Sequence, residues 1–277
     1  MKKSEPIIRL KNVHKAFNGN VVLDGVSLDI YPHQTTVIIG PSGCGKSVLL
    51  RHIVGLLKPD RGEVYYRKYA VSKLSEHNLA RMRSRIGFLF QGSALFDSMT
   101  VRQNVCFPLD EHHVGTPAQR ADRCASVLSL VGLTGLEDRF PEELSGGQKK
   151  RVALARAIAM EPEAILYDEP TTGLDPIRAD LINELIIRLQ KALGTTTLVA
   201  THDMASACKV GDRIVMLHEG HFIADTTPEG LANIHNDVVA RFVHGEASEA
   251  ELAQLEADRL ALARRRPGNS DLSEKTS

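Results

Sequence analysis

Three short stretches of this chain carry residue types suited to phosphate and metal. The first, Gly40-Pro41-Ser42-Gly43-Cys44-Gly45-Lys46-Ser47, fits the pattern G-x-x-x-x-G-K-[ST]. Glycines let a backbone curl until several N–H groups converge on one oxyanion, and a helix N-terminus behind them adds positive potential. Lys46 can reach terminal phosphates, and the Ser47 hydroxyl can ligate a divalent cation. Cys44 fills a free position of the pattern, so no chemistry is assigned to it.

The second stretch closes an apolar run, Ala164-Ile165-Leu166-Tyr167, with Asp168-Glu169. A carboxylate ending a strand beside the phosphate-loop strand can hold Mg²⁺, directly or through water, and Asp168 takes that role. Glu169 then stands where it can orient or deprotonate an attacking water. Alone, such a pair is as often merely solvated; with a phosphate loop it points to nucleotide hydrolysis. The third stretch, Leu144-Ser145-Gly146-Gly147-Gln148, is another compact anion-binding turn. It offers a hydroxyl and two bare glycine N–H groups at the head of a helix expected over Gln148–Met160. Gln91 ends one more apolar run, Ile86–Phe90; its amide oxygen can meet Mg²⁺ or the attacking water while staying neutral.

These residues need elements to position them. Short apolar strands alternate with helix-period segments, which is the α/β pattern. Val37-Ile38-Ile39 reads as a buried strand entering the phosphate loop, and Lys46–Val54 as the helix leaving it. Pro176–Leu193 is a long amphipathic helix that Pro176 opens. Thr195–Ala200 is a third core strand, and Asp212–Asp225 a hairpin turning at Glu219-Gly220. Between Gln91 and Leu144 the texture changes: beyond Pro108 the strand signal disappears, and Ala118–Leu133 has helical spacing. This is a helical insertion in an α/β core. Glu246–Arg265 reads as a helix with acidic residues early and arginines late, and the last ten residues as disordered. Arg264-Arg265-Arg266 is either that helix's C-terminus or a nucleic-acid or lipid contact.

Composition narrows the function. At 277 residues, the chain can bury a substantial core as one large domain or as a domain with a subdomain. Lys+Arg and Asp+Glu each total 34, giving zero formal net charge, which argues against a nucleic-acid binder that works by bulk positive charge. Cys44, Cys106, Cys124 and Cys208 form no C-x-x-C pair and read as buried or incidental thiols. The opening MKKSEPIIRL lacks the apolar region of a secretory signal. No apolar run reaches the roughly 18–20 residues needed to span a bilayer, so work at a membrane requires another chain.

With these motifs in this order, residues 7–240 resemble the ATP-binding cassette family. The resemblance implies an α/β P-loop NTPase (RecA-like) core with an antiparallel β subdomain and an α-helical subdomain. It divides the chain into four parts. Residues 1–90 are the first part of the ATP-binding core, with the β subdomain and P-loop; 91–144 are the Q-loop and helical subdomain. Residues 145–240 are the signature helix and second part of the core, and 241–277 a helical extension and tail. It further implies ATP and Mg²⁺, with ATP held by residues Gly40 to Val48 and the metal by Ser47, Gln91 and Asp168. Lys46, Gln91, Glu169 and His202 become the catalytic set. His202, after the TTTLVAT strand, matches the switch histidine that contacts the γ-phosphate. Phe17 matches the aromatic that stacks on adenine; the alternative is a core or turn aromatic. Ser145, Gly146, Gly147 and Gln148, with Asp175 of Thr172-Gly173-Leu174-Asp175, would meet ATP held by a second copy.

Gly45–Gly62, with Val48 where most cassettes carry threonine, and Leu89–His112 are similar to the ATPases of Mla/Mce-type lipid transport systems. Three departures stand out: Gly92-Ser93 is reversed, Asp110 replaces a common basic residue, and Tyr65-Tyr66-Arg67-Lys68 replaces an Asp-Gly turn. That likeness implies a homodimer bound to an integral-membrane permease and an Mce-domain lipid-binding protein, without nucleic acid. It implies a peripheral place at the cytoplasmic face of the inner membrane. Amino-acid or lipoprotein transport, and a non-transport regulatory role, stay open. Leu95, Phe96 and Met99 either receive a cytoplasmic helix of the permease or pack the helical subdomain. The tail after about residue 240 is expected to help hold two ATPases together.

Overall fold

The computed structural model describes residues 5–247 together with Leu252, Ala253, Glu256, Ala257 and Arg259. Strands β1 (Ile8–Phe17) and β2 (Asn20–Ile30) open the chain as a hairpin. Its turn residues Asn18 and Gly19 both have left-handed φ, of 50° and 85°, which matches the twist of the flanking strands. Next come β3 (Thr35–Ile39), α1 (Lys46–Ile53), β4 (Arg61–Tyr66), β5 (Tyr69–Ala70), α2 (Glu76–Arg83) and β6 (Ile86–Leu89). Three helices follow, α3 (Val101–Glu111), α4 (Pro117–Leu130) and α5 (Gly146–Ile158). The chain then alternates through β7 (Ala164–Asp168), α6 (Pro176–Leu193), β8 (Thr196–Thr201) and α7 (Met204–Val210), and turns back in β9 (Arg213–His218) and β10 (His221–Thr226). A second compact unit begins at His235 and contains α8 (Asp237–His244).

Two sheets result. One is antiparallel, in the order β2-β1-β4-β5; the other runs β10-β9-β3-β8-β7-β6, parallel except at β10. Every residue of β3, β7 and β8 is buried, as expected of parallel strands covered on both faces, which suits the apolar runs Val37–Ile39, Ala164–Tyr167 and Leu198–Ala200 within them. Helix α1 ties the sheets together: Leu49, Leu50 and Ile53 share one core cluster with Leu10 and Leu23 of the first sheet and Ile38 and Leu166 of the second.

Several boundaries differ from the sequence reading: α4 ends at Leu130 rather than Leu133, and α5 at Ile158 rather than Met160. Helix α3 runs through Pro108, so the apolar residues before that proline are helical rather than extended. Helix α5 starts at Gly146 rather than Gln148, because Ser145 and Gln148 form a capping box: Gln148 N–H donates to Ser145 Oγ, and Ser145 N–H to Gln148 Oε1. The Glu246–Arg265 helix does not begin where expected: α8 ends at His244 with Gly245 in a left-handed turn, and Glu246 and Ala247 are not helical, whereas the five described residues between Leu252 and Arg259 are. The other residues of that stretch, with the arginine triplet and the last ten residues, lie outside the described residues. The buried thiols of Cys106 and Cys124 donate to the carbonyls of Arg120 and Arg102. No helix among the described residues is long and apolar enough to cross a membrane.

Candidate active site

The carboxyl ends of the parallel strands open onto one cavity. Strand β3 runs into the phosphate loop, β8 into His202, β7 into Asp168 and Glu169, and β6 toward Gln91. This is the edge at which open α/β sheets bind ligands. The cavity measures about 340 Å³ and is lined by Ser42, Gly43 and Gly45 to Val48, together with Gln91, Glu169 and His202.

The strand order corrects one expectation: β8 lies between β3 and β7, so Asp168 does not end the neighbour of the phosphate-loop strand. Register compensates. Ile38, Ala200 and Asp168 lie level across the three strands, and the Ser47 hydroxyl still donates to Asp168 Oδ1 at 2.6 Å.

The loop itself is built around glycine. A Cβ at Gly40 would lie 2.2 Å from the Leu217 carbonyl oxygen, so only glycine lets the chain leave β3 here. Gly45, at φ 107°, opens α1 with no side-chain cap and no acidic residue in the first turn. The helix therefore keeps N–H donors and positive potential for an anion. Lys46 is buried; its Nζ donates to the carbonyls of Gly40 and Pro41 at 2.8 and 3.0 Å and stands 3.5 Å from Glu169 Oε1.

Glu169 is the most constrained residue of the site. It is buried, and its φ of 51° puts a non-glycine residue in the left-handed region, at a cost of about 1–2 kcal/mol. Several bonds hold it there. Its N–H donates to the Ala200 carbonyl at 2.9 Å, and Lys150 Nζ donates to its carbonyl at 3.2 Å. Its Oε2 accepts from the Thr172 hydroxyl at 3.0 Å and meets His202 Nδ1 at 2.8 Å.

Ser47, Asp168 and Gln91 supply hydroxyl, carboxylate and amide oxygens, the donor set that suits Mg²⁺. Burial raises the Asp168 carboxyl above its ordinary range, against the opposing pull of the Ser47 hydrogen bond and the Arg51 and Lys46 charges. A desolvated carboxylate of this kind is favoured by a divalent cation beside it, so the residues fit the ion. Mg²⁺ bound there would neutralise charge developing on a transferring phosphoryl group.

The structure does not gather every residue singled out from sequence. Phe17 lies outside the cavity lining, 40 % exposed at the end of β1. Ser145 and Gly146 are exposed at the head of α5 and line no part of their own chain's phosphate cavity. Gly146 and Gly147 instead face Leu174 and Arg178. Asp175 caps α6, accepting the Arg178 N–H at 3.0 Å. Phe96 is partly exposed and packs on Phe107 at a centroid distance of 4.7 Å.

Two of the three departures find local partners, and the Gly92-Ser93 reversal has no structural explanation. Asp110 pairs with Arg120 of α4 at 2.7 Å. The Gly92-Ser93 reversal places Ser93, φ 63°, in a left-handed position that glycine would occupy at lower cost. Tyr66 and Arg67, with Arg85, converge on Glu163.

Sequence reasoning missed Lys150 and Arg156, and it named Thr172 only within the stretch ending at Asp175, not as a partner of Glu169. Lys150 is buried beside Glu169, and desolvation pulls its ammonium below the ordinary lysine range. Nothing local separates it from Lys149 next to it; only the helical phase set by the Ser145 cap turns it inward.

Comparison with known proteins places the chain in a family. The family description "ABC transporter" matches residues 23–172. The chain belongs to this family. It is an ATPase of the ABC type. The cassette is 38 % identical over 238 residues to the probable ribonucleotide transport ATP-binding protein mkl of Mycobacterium leprae, covering 86 % of this chain and 69 % of that one. It is 37 % identical over 245 residues to the intermembrane phospholipid transport system ATP-binding protein MlaF of Haemophilus influenzae, covering 88 % and 92 %. It is 40 % identical over 226 residues to the methionine import ATP-binding protein MetN of Brucella abortus, covering 81 % and 60 %. Among solved structures, the dimeric post-hydrolysis state of the cassette MJ0796, bound to ADP and Pi, superposes with a TM-score of 0.74 at 35 % identity, covering 80 % of this chain and 98 % of that one.

Proposed function

We propose that this cassette energises the movement of phospholipid, or a related hydrophobic molecule, between membranes through a separate permease. Two copies would sandwich ATP, each holding it on Gly40 to Val48 and closing Ser145 to Gln148 and Asp175 over the partner's nucleotide. The observation that carries the sandwich is the exposed Ser145-Gly146 turn, which contributes nothing to its own chain's cavity. The dimeric MJ0796 cassette supports the same assembly.

Within each site, Lys46 neutralises phosphate charge, Glu169 orients and accepts a proton from water, and His202 and Gln91 sense the γ-phosphate. ATP favours the closed pair more than ADP does, and that difference moves the permease. Leu95, Phe96 and Met99 lie beyond Gln91 and would form the permease contact at the cytoplasmic face of the membrane.

The phospholipid assignment is supported by the likeness to MlaF and by the stretch Leu89–His112. The MetN relative favours amino-acid import as the second reading. Purifying the native membrane complex through this chain and analysing what comes with it decides between them. An Mce-domain protein and bound phospholipid are expected; a periplasmic amino-acid-binding protein would overturn the lipid reading. Truncation after Gly245 tests the tail: unchanged dimerisation and assembly would remove its proposed role.

A further inference from the structure

The end of β1 is irregular. Its pairing with β2 shifts register between Val13 and Lys15 and again between Lys15 and Ala16, although Lys15, Ala16 and Phe17 keep partners in Leu23, Val21 and Asn20. A side chain from elsewhere reinforces this irregular stretch. Asp60, in the loop between α1 and β4, accepts from Lys15 Nζ at 2.7 Å through Oδ1 and from the Ala16 N–H at 2.7 Å through Oδ2. Its own N–H donates to the His14 carbonyl at 2.9 Å. Asp60 thus grips three consecutive residues, His14, Lys15 and Ala16, immediately before Phe17. The Lys15 hydrogen bond, chief among the influences, holds the Asp60 carboxyl below the usual carboxylate range.

Lys15 in turn lies over one face of the Phe17 ring, with Nζ 5.3 Å from the centroid. Phe17 is 40 % exposed, and Val21, which pairs with Ala16 across the hairpin, is 64 % exposed. The far end of the hairpin thus presents apolar surface backed on one side by a pinned cation. The pinning residue is carried on the loop that leaves α1, the helix whose N-terminus forms the phosphate loop.

We propose that Asp60 is a positioning residue for the nucleobase: by fixing Lys15 against one face of Phe17, it aims the other face at the base and sets its distance from the phosphate loop. This rests on the reading of Phe17 as the base-stacking residue. Phosphates and base would then both be registered to α1, one through its first turn and the other through Asp60. Stacking alone is tolerant of ring orientation; Asp60 supplies the orientation.

The test compares the full chain's affinity for Mg-ATP with its affinity for inorganic tripolyphosphate, which has no base, by titration calorimetry. Phe17→Ala is expected to weaken ATP roughly five- to hundredfold and leave tripolyphosphate unchanged. Asp60→Ala is expected to weaken ATP roughly three- to tenfold, again with tripolyphosphate unchanged, and to add nothing in the Phe17→Ala background. Lys15→Met, which keeps the Asp60–Ala16 bond, is expected to show a smaller loss confined to ATP. Equal weakening of both ligands by Asp60→Ala, or an additive double variant, would overturn the positioning role while leaving Phe17 in place. Unchanged ATP affinity in Phe17→Ala would instead remove the stacking reading, and this proposal with it.

Discussion

His202 Nδ1 lies 2.8 Å from Glu169 Oε2, joining the end of β8 to the end of β7 across the mouth of the cavity. In a neutral ring, the N–H donated to the carboxylate is on Nδ1, which leaves Nε2 an acceptor. A contact from Nε2 to a phosphate oxygen therefore needs a second proton or a change of partner. Under the proposed function, the pair would respond to what occupies the cavity, and the bonds that hold Glu169 would orient it toward water.

Replacing Glu169 with glutamine keeps the shape and removes the carboxylate proposed to accept the proton. Glu169→Gln is expected to lower ATP turnover about 100-fold or more while retaining ATP binding. Phosphate release should fall, and size-exclusion chromatography in Mg-ATP should show an accumulated dimer. Near-normal turnover would take Glu169 out of its assigned role.

Asp168 gives a stability prediction of opposite character. Its carboxyl is raised above the ordinary 3.8, chiefly by burial. A raised carboxyl contributes most in its neutral form, at pH below the unfolded value, and that contribution is lost as pH rises through the folded value. At neutral pH the buried carboxylate is therefore a cost. Asp168→Asn is expected to raise the melting temperature of nucleotide-free protein at pH 7 to 8, yet abolish the further gain from Mg-ATP and the ATPase activity. A lower melting temperature without nucleotide would contradict the burial argument.

His52 sits on α1 with Nδ1 at 2.7 Å from the Val48 carbonyl and a buried Nε2 that has no partner. Burial depresses its basicity below the ordinary 6.5. Stability is then present above the unfolded value and lost as pH falls below it, because the unfolded chain takes up the proton more readily. His52→Gln should flatten the fall in melting temperature from pH 6.5 downward relative to the unsubstituted chain. An identical slope in both would show that the ring carries no such linkage.

Arg156 of α5 donates to the Ser93 carbonyl at 2.9 Å and to Asn104 Oδ1 at 3.4 Å, and its guanidinium lies 5.7 Å from the Phe96 ring centroid. Asn104, fully buried, donates to the carbonyls of Phe96, Met99 and Thr100 and accepts the Phe96 N–H. The segment beyond Gln91 is thereby fastened to α3 through Asn104 and to α5 through Arg156. Asn104→Ala is expected to cost about 1–3 kcal/mol by leaving backbone groups unpaired, with faster amide exchange confined first to residues 93–100. Arg156→Gln should produce the same local pattern at smaller cost. Exchange that rises uniformly across the chain would deny the segment its separate fastening.

Features built from neighbouring residues were legible in the residues alone. A strand, a glycine loop and a helix start suffice to build a phosphate cradle, because the N–H groups involved lie within a few residues of one another. Pro176 opening α6 and the Glu219-Gly220 turn were legible for the same reason. Tertiary structure decided what depends on segments far apart in the chain. It set β8 between β3 and β7, turned Lys150 toward Glu169, paired Asp110 with Arg120, and brought Asp60 beneath Lys15 and Ala16. Strand order and the partner of a charged side chain follow from how whole elements pack against one core. Hydrophobic period and motif spacing record only which face of each element is buried.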